Sequence, residues 1–236
     1  MQRRIDALIF DCDGTLVDSE GPGLAVLQQA ALQIGVTISS EQLHDQFRGM
    51  PMAQCVAFIG AQLASKPENF DADFTAHVRR AMAERFRQGL RTLPGALELV
   101  ASLRLPYCIA TNGPREKAEL TLGLTGLLPF FEGRIFCAYE VGAFKPAPGL
   151  FLHAAEALGV APQGCAVIED SLPGIEAGLA AGMQVFALVT PGSLPVAIAS
   201  RVREIGALQE LAPMLRRSAA LGFMTRQVHR DVLWRS

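Results

Sequence analysis

Apolar and polar positions along the chain follow two rhythms. Five short runs are almost wholly apolar: Ala7–Phe10, 107–110, 134–137, 166–168 with its flanks, and 184–189. Runs of this length without alternation read as strands of a parallel sheet covered on both faces, since polar alternation appears only where one face meets water. Helical spacing fills most of the gaps. Residues 95–103 precede the second run and 115–122 follow it. Residues 148–158 bring Leu150, Phe151, Ala154, Ala155 and Leu158 onto one face. Residues 173–181 end at Gly182, a suitable residue to close a helix. Beyond Pro195 the pattern weakens, with 202–205 predicting a sixth strand and 208–217 a last helix, while 222–236 carry no pattern. Strands alternating with helices predict an α/β fold with a doubly wound parallel sheet.

One connection breaks the rhythm. The first strand ends near Phe10 and the second begins near Pro106, far longer than an ordinary crossover. The residues between carry only helical patterns, at 24–34, 41–47, 52–63 and 74–90. Pro22 and Gly23 are suited to opening the first of these and Gly35 to closing it. The expectation is a core domain made of 1–15 and 91–236, with a helical cap, 16–90, inserted after the first strand. No internal repeat or low-complexity segment is visible.

Composition narrows the picture. The chain has 236 residues, 50% of them hydrophobic, enough for a large core. A net charge of −2 indicates no bulk attraction to nucleic acid or to an anionic membrane. No apolar run approaches a membrane span, and the run after Arg3 and Arg4 breaks at Asp11, too early for a leader. The five cysteines are odd in number, scattered and without a C-x-x-C pair, which predicts buried thiols in a reducing compartment. A soluble cytoplasmic protein, monomer or weak dimer, is expected.

Candidate chemistry collects where the strands end. The first strand runs into Asp11 and Asp13, spaced so that both point to one side while Cys12 points away. Two carboxylates about 5 Å apart repel by roughly 3 kcal/mol at an effective dielectric near 20, so folding alone has little reason to place them together. An acidic Asp-Gly turn is the plain alternative. The second strand delivers Thr111, Asn112 and Gly113, and the fourth delivers Glu169, Asp170 and Ser171. Between the third and fourth lies Lys145, bounded by Pro146 and Pro148. In open α/β sheets ligands bind beyond the carboxyl ends of the strands, at the point where strand order reverses. Four carboxylates sharing a cleft raise one another's pKa unless a cation sits among them. With only oxygen donors available, Mg²⁺ is the metal of choice. Thr111 and Lys145 then provide a donor and a positive charge for phosphate oxygens.

These residues carry a family resemblance. Asp-Cys-Asp-Gly-Thr-Leu-Val-Asp-Ser at 11–19, Thr-Asn-Gly at 111–113, Lys-Pro-Ala-Pro at 145–148 and Glu-Asp-Ser-Leu-Pro-Gly at 169–174 resemble the four ordered motifs of the haloacid dehalogenase superfamily. The closest branch is the β-phosphoglucomutase-like group with a helical cap, and within it the 6-phosphogluconate phosphatases. The resemblance implies a Rossmann-like core and Mg²⁺-dependent hydrolysis of a small phosphorylated metabolite through an aspartyl-phosphate. It implies Asp11 as nucleophile and Asp13 as acid/base, with a backbone carbonyl of Asp13 on the metal. It makes Thr111, Asn112 and Lys145 phosphate binders, and Asp11, Asp13, Glu169 and Asp170 the metal site, Glu169 directly or through water. Phosphoglycolate phosphatase and β-phosphoglucomutase-type transfer are the alternatives. The mutases have a histidine just after the first motif, where this chain has Glu20-Gly21-Pro22. One departure is Gly149, where relatives often carry an aspartate, so the following helix is expected to lack its cap.

Other residues are open to two readings. Asp18 and Ser19 read as caps of the first insertion helix rather than substrate contacts. Arg48 and Gly49 lie between two insertion helices, either facing substrate or forming a plain turn. The arginines at 79, 80, 85, 87 and 91 read as a solvated face more readily than as an anion guide. The four histidines have no ligand spacing.

Overall fold

The computed structural model describes residues 4–47 and 49–215, with the backbone alone described at His44 and Asp45. Among the described residues six parallel strands form one sheet: β1 (Ala7–Phe10), β2 (Tyr107–Thr111), β3 (Ile135–Cys137), β4 (Cys165–Glu169), β5 (Gln184–Leu188) and β6 (Arg203–Ile205), in the order β3-β2-β1-β4-β5-β6. The order reverses between β1 and β4, where Phe10 pairs with Ile168. This register brings Asp11 and Glu169 out at the same edge. The sheet is the doubly wound architecture expected from the apolar runs, and each run lies within a residue or two of its strand.

Alternate strand residues serve two different layers. Leu8, Phe10, Ile109 and Ile168 pack with Leu99 of α5 (Ala96–Ser102) and Leu122 of α6 (Arg115–Leu124). Ala7, Ile9, Ala110 and Val167 pack with Phe151 of α8 (Gly149–Ala157) and Ile175 of α9 (Leu172–Ala180). Every residue of β1 is therefore buried, which is why it shows no alternation in the sequence.

Residues between β1 and β2 build their own cluster. Leu27 of α1 (Glu20–Gln33), Phe47, Ile59 of α3 (Met52–Gly60) and Val78 of α4 (Phe70–Arg87) pack together, apart from both sheet layers. The two crossings into this insertion are hydrogen-bonded to each other. Val17 bridges Thr92, Asp18 N–H donates to Arg91 O at 3.0 Å, and Leu93 N–H donates to Leu16 O at 2.9 Å.

Several element ends differ from the sequence expectation. Helix α1 begins at Glu20 rather than near Leu24, because Pro22 in the first turn gives up an N–H that has no helical partner anyway. Helix α4 begins at Phe70 rather than Phe74, with Asp71 and Asp73 in its first turn complementing the helix dipole. The segment expected as one helix over 41–47 is a short helix α2 (Ser40–Gln42), opened by a Ser39/Gln42 capping box, followed by a π-helical turn. Two short helices, α7 (Ala138–Val141) and α10 (Val196–Ala199), were not anticipated. A helix of four residues is too short to show a period. Pro148 precedes α8 without a side-chain cap, as expected from Gly149, whose missing Cβ leaves room for Ala143: a Cβ there would lie 2.8 Å from that side chain. The expected helix over 208–217 starts as a 3₁₀ turn at Leu208–Glu210; its last residues and the 222–236 tail lie outside the described residues. Among the described residues no helix is long and apolar enough to cross a membrane.

The separate cluster predicts separable stability. Ile59 is fully buried, so Ile59→Ala should cost about 2–5 kcal/mol. Hydrogen exchange should show that loss in amides of α1, α3 and α4, with β1 and β4 keeping their protection. Equal loss in the strands would mean that the insertion and the sheet unfold as one unit.

Candidate active site

Lys145 organises the sheet edge. It is 2% exposed at its side chain, and its Nζ lies 2.5 Å from Asp11 Oδ1 and 2.7 Å from Glu169 Oε1. The ammonium also sits 4.9 Å from the centre of the Phe151 ring. Burial would lower the Lys145 pKa, but Asp11 and Glu169 outweigh it and hold the group above its usual range. The loop carrying Lys145 is fixed by Asn112: its Oδ1 accepts from Lys145 N–H at 2.9 Å, and its Nδ2 donates to Lys145 O at 3.2 Å. The Asn112 side chain is thus committed to the loop, and any contact it makes to phosphate would come from its backbone. Thr111 Oγ1 accepts from Gly113 N–H at 3.0 Å, leaving its own O–H to donate.

Asp11 and Asp13 sit in opposed environments. Asp11 is pushed up to about 7, because burial, with Glu169 and Asp13 nearby, outweighs Lys145. Asp13 also suffers burial, but Lys117 and the Ser19 hydroxyl overcome it and hold the carboxyl below the usual range. Lys117 Nζ lies 2.9 Å from Asp13 Oδ2, and Ser19 Oγ donates to Asp13 Oδ1. Ser19 therefore does not cap α1 with its side chain; its hydroxyl is drawn into the site. Lys117 was missed altogether. A lysine in the first turn of α6 looks like an ordinary solvent-facing residue, and its spacing to Asp13 exists only once β1 and β2 are adjacent.

Two glycines make room for the other two carboxylates. A Cβ on Gly14, where φ is +81°, would lie 2.3 Å from Asp170 Oδ2, so this turn needs glycine for space and for conformation. A Cβ on Gly174 would lie 1.8 Å from Glu169 Oε1. Glu169 Oε2 accepts from Ser171 N–H at 2.8 Å and from Ser171 Oγ at 2.9 Å. With Oε1 on Lys145, both Glu169 oxygens are engaged. Asp170 accepts from Thr15 Oγ1 at 3.0 Å, and burial with the charges of Glu169 and Asp11 pushes its pKa well above the usual range.

This donor set fits Mg²⁺. Among the described residues no three acidic, histidine or cysteine side chains converge on one point. Two raised carboxylates, Asp11 and Asp170, would contribute to a sparse all-oxygen set, the kind Mg²⁺ uses while keeping water and phosphate in its remaining positions. Their raised pKa values mark a place short of positive charge.

A cleft of about 840 Å³ rises from these residues toward the insertion. Its floor holds Asp11, Asp13, Thr111, Lys145, Glu169 and Asp170, so the sequence-predicted core residues all meet in one place. Leu24, Met50, Met52 and Met82 of the insertion form an apolar wall. Gly49, with φ of +70°, also lines the cleft, whereas Arg48 lies outside the described residues. All five cysteines are buried and free, and Cys12, between the two aspartates, takes no part.

Sheet order, site and insertion together define a class of enzyme, and comparison with known proteins agrees. The haloacid dehalogenase-like hydrolase family model matches residues 5–182, and the chain belongs to that family. It is 33% identical over 184 residues to a 6-phosphogluconate phosphatase of Escherichia coli (strain K12), covering 78% of this chain and 82% of that protein. A family hydrolase from Deinococcus radiodurans R1, solved with bound phosphate and sodium, is 30% identical with a TM-score of 0.73 over 92% of this chain and 98% of that one. A putative β-phosphoglucomutase from Thermotoga maritima is 27% identical with a TM-score of 0.71, covering 90% and 99%. The chain is a phosphoric monoester hydrolase.

If Lys117 governs Asp13, then Lys117→Met should lower kcat roughly ten- to a hundredfold, with KM moving less and Lys117→Arg restoring part of the rate. Steady-state kinetics at fixed Mg²⁺ check this, and an unchanged kcat would remove Lys117 from the site's working parts.

Proposed function

We propose that this protein is a Mg²⁺-dependent phosphatase that cleaves a small phosphomonoester through an aspartyl-phosphate on Asp11. Its substrates on this reading are sugar phosphates or sugar-acid phosphates such as 6-phosphogluconate. The observation that carries the reading is the opposed setting of the two aspartates, one against Lys145 and the other against Lys117 and Ser19. In the first step an Asp11 oxygen attacks phosphorus in line, and the bond from phosphorus to the leaving alcohol oxygen breaks. That oxygen takes its proton from the Asp13 carboxyl, whose partner Lys117 lies 2.9 Å away. In the second step Asp13 takes a proton from water, the water oxygen attacks phosphorus, and inorganic phosphate leaves as the Asp11 carboxylate returns.

On this reading Lys145 and the Thr111 hydroxyl hold the phosphate oxygens that do not react. Asp11, Asp170 and the Asp13 carbonyl would hold Mg²⁺, with Glu169 acting through water because its oxygens are engaged. When bound, the ion neutralises phosphate charge. Residues 16–90 serve on this reading as a cap over a core of 1–15 and 91–236. Their separate hydrophobic cluster and the paired crossings beside Asp13 support that division. The 6-phosphogluconate and hexitol phosphatases among the relatives, each 33% identical, support the sugar-phosphate class.

Asp11→Asn should reduce Mg²⁺-dependent release of phosphate from p-nitrophenyl phosphate by roughly a thousandfold or more. Substantial residual turnover would sink the nucleophile assignment.

A further inference from the structure

Of the arginines on α4, Arg79 and Arg87 line the cleft, while Arg80 and Arg85 do not. Arg79 reaches across to α7. Its Nη2 donates to Tyr139 Oη at 3.2 Å, and its guanidinium lies 5.6 Å from the centre of the Tyr139 ring. Tyr139 in turn meets Phe144 edge-on, ring centres 5.0 Å apart, and Phe144 directly precedes Lys145. All four residues line the same cleft.

This setting prepares the guanidinium for a ligand. A ring beneath it and one hydrogen bond at its edge restrict the plane of the fork, and among the described residues its other N–H groups have no hydrogen-bond partner. Among the described residues no carboxylate pairs with Arg79, whereas the site's two lysines are each held by acids. Arg87, about 12 Å further along the helix axis, has no such aromatic seat among the described residues. The charge at Arg79 is therefore oriented and available, on the insertion side of the cleft rather than at the phosphate floor.

We propose that Arg79, seated on Tyr139, binds a second anionic group, a carboxylate on the leaving group of the substrate. The proposal rests on the phosphatase reading above and narrows it to phosphorylated acids. A planar fork meeting a planar carboxylate gives two parallel hydrogen bonds, a recognition that a neutral hydroxymethyl group does not reproduce. The Tyr139–Phe144 contact ties this second anchor to the loop of Lys145, so the two ends of the substrate are held at a set spacing.

The test uses two esters with the same carbon chain and the same phosphorylated hydroxyl, 6-phosphogluconate and glucitol 6-phosphate. Wild type should favour the acid by about tenfold or more in kcat/KM, mostly through KM. That preference should shrink as salt is raised, as expected for a partly exposed charge pair. Arg79→Gln should cost the acid about tenfold more than the alditol, and Arg79→Lys should recover only part of the difference. Tyr139→Phe, which keeps the ring and removes the hydroxyl, should give a smaller loss in the same direction. Tyr139 is 51% exposed and Arg79 is also exposed, so these variants should fold. Equal losses for both esters would mark Arg79 as a clasp between insertion and sheet and overturn the proposal, as would equal wild-type efficiency on the two. Hydrolysis of neither ester, with p-nitrophenyl phosphate also untouched, would overturn the phosphatase reading and the proposal together. Hydrolysis of p-nitrophenyl phosphate alone would overturn the proposal and leave the phosphatase reading standing.

Discussion

One ammonium group between two buried carboxylates governs the rest of this structure. Lys145 is almost completely buried, and so is Glu169, with Asp11 close behind. Removing three charges from water is costly, and the arrangement is tolerable only because the geometry is tight and the remaining polar atoms are satisfied. Asn112 fixes the lysine loop from both its backbone N–H and its carbonyl, and Ser171 satisfies the free side of Glu169. Glycine at 174 is what lets Glu169 lie where it does, and glycine at 14 does the same for Asp170. Even so, one lysine among Asp11, Glu169 and Asp170 leaves an excess of negative charge, visible in the raised pKa values of Asp11 and Asp170. A dianionic phosphate would worsen that excess. A divalent cation bound beside these carboxylates would offset it.

The turn that follows β1 separates two aspartates that are only two positions apart. Asp11 faces the β4 side and Lys145, while Asp13 faces α6 and Lys117. A single dipeptide step thus spans the change from a carboxyl pushed up by burial to one held down by a cation. The insertion leaves the core beside this step, through Val17 paired with Thr92.

Much of this was legible in the chain, for identifiable reasons. The strands announced themselves because burial on both faces removes polar residues, and the helical insertion because its length defied an ordinary crossover. Asp11, Asp13, Thr111, Lys145, Glu169 and Asp170 could be read as a set because each follows a strand or opens a loop at the same sheet edge. What escaped depended on three-dimensional proximity. Ser19 stands before a helix and so reads as its cap, yet Asp13 offers its hydroxyl a stronger, charged partner. Lys117 carries no local signal at all. The Asn112 side chain carries no local sign that its amide ties down the backbone of Lys145. Tyr139 lies on a helix too short to leave a period, and the role of the α4 arginines was divided only when the cleft singled out two of them.

The central claim is that Lys145 and its neighbours hold Asp11 as the atom that takes the phosphoryl group. The most direct measurement is a rapid acid quench of the wild-type protein during turnover of 6-phosphogluconate or p-nitrophenyl phosphate with Mg²⁺, followed by peptide mass spectrometry. The account predicts a phosphoryl adduct on Asp11, formed and lost at rates consistent with turnover. Rapid phosphate release with no adduct, or an adduct on any other residue, would contradict it.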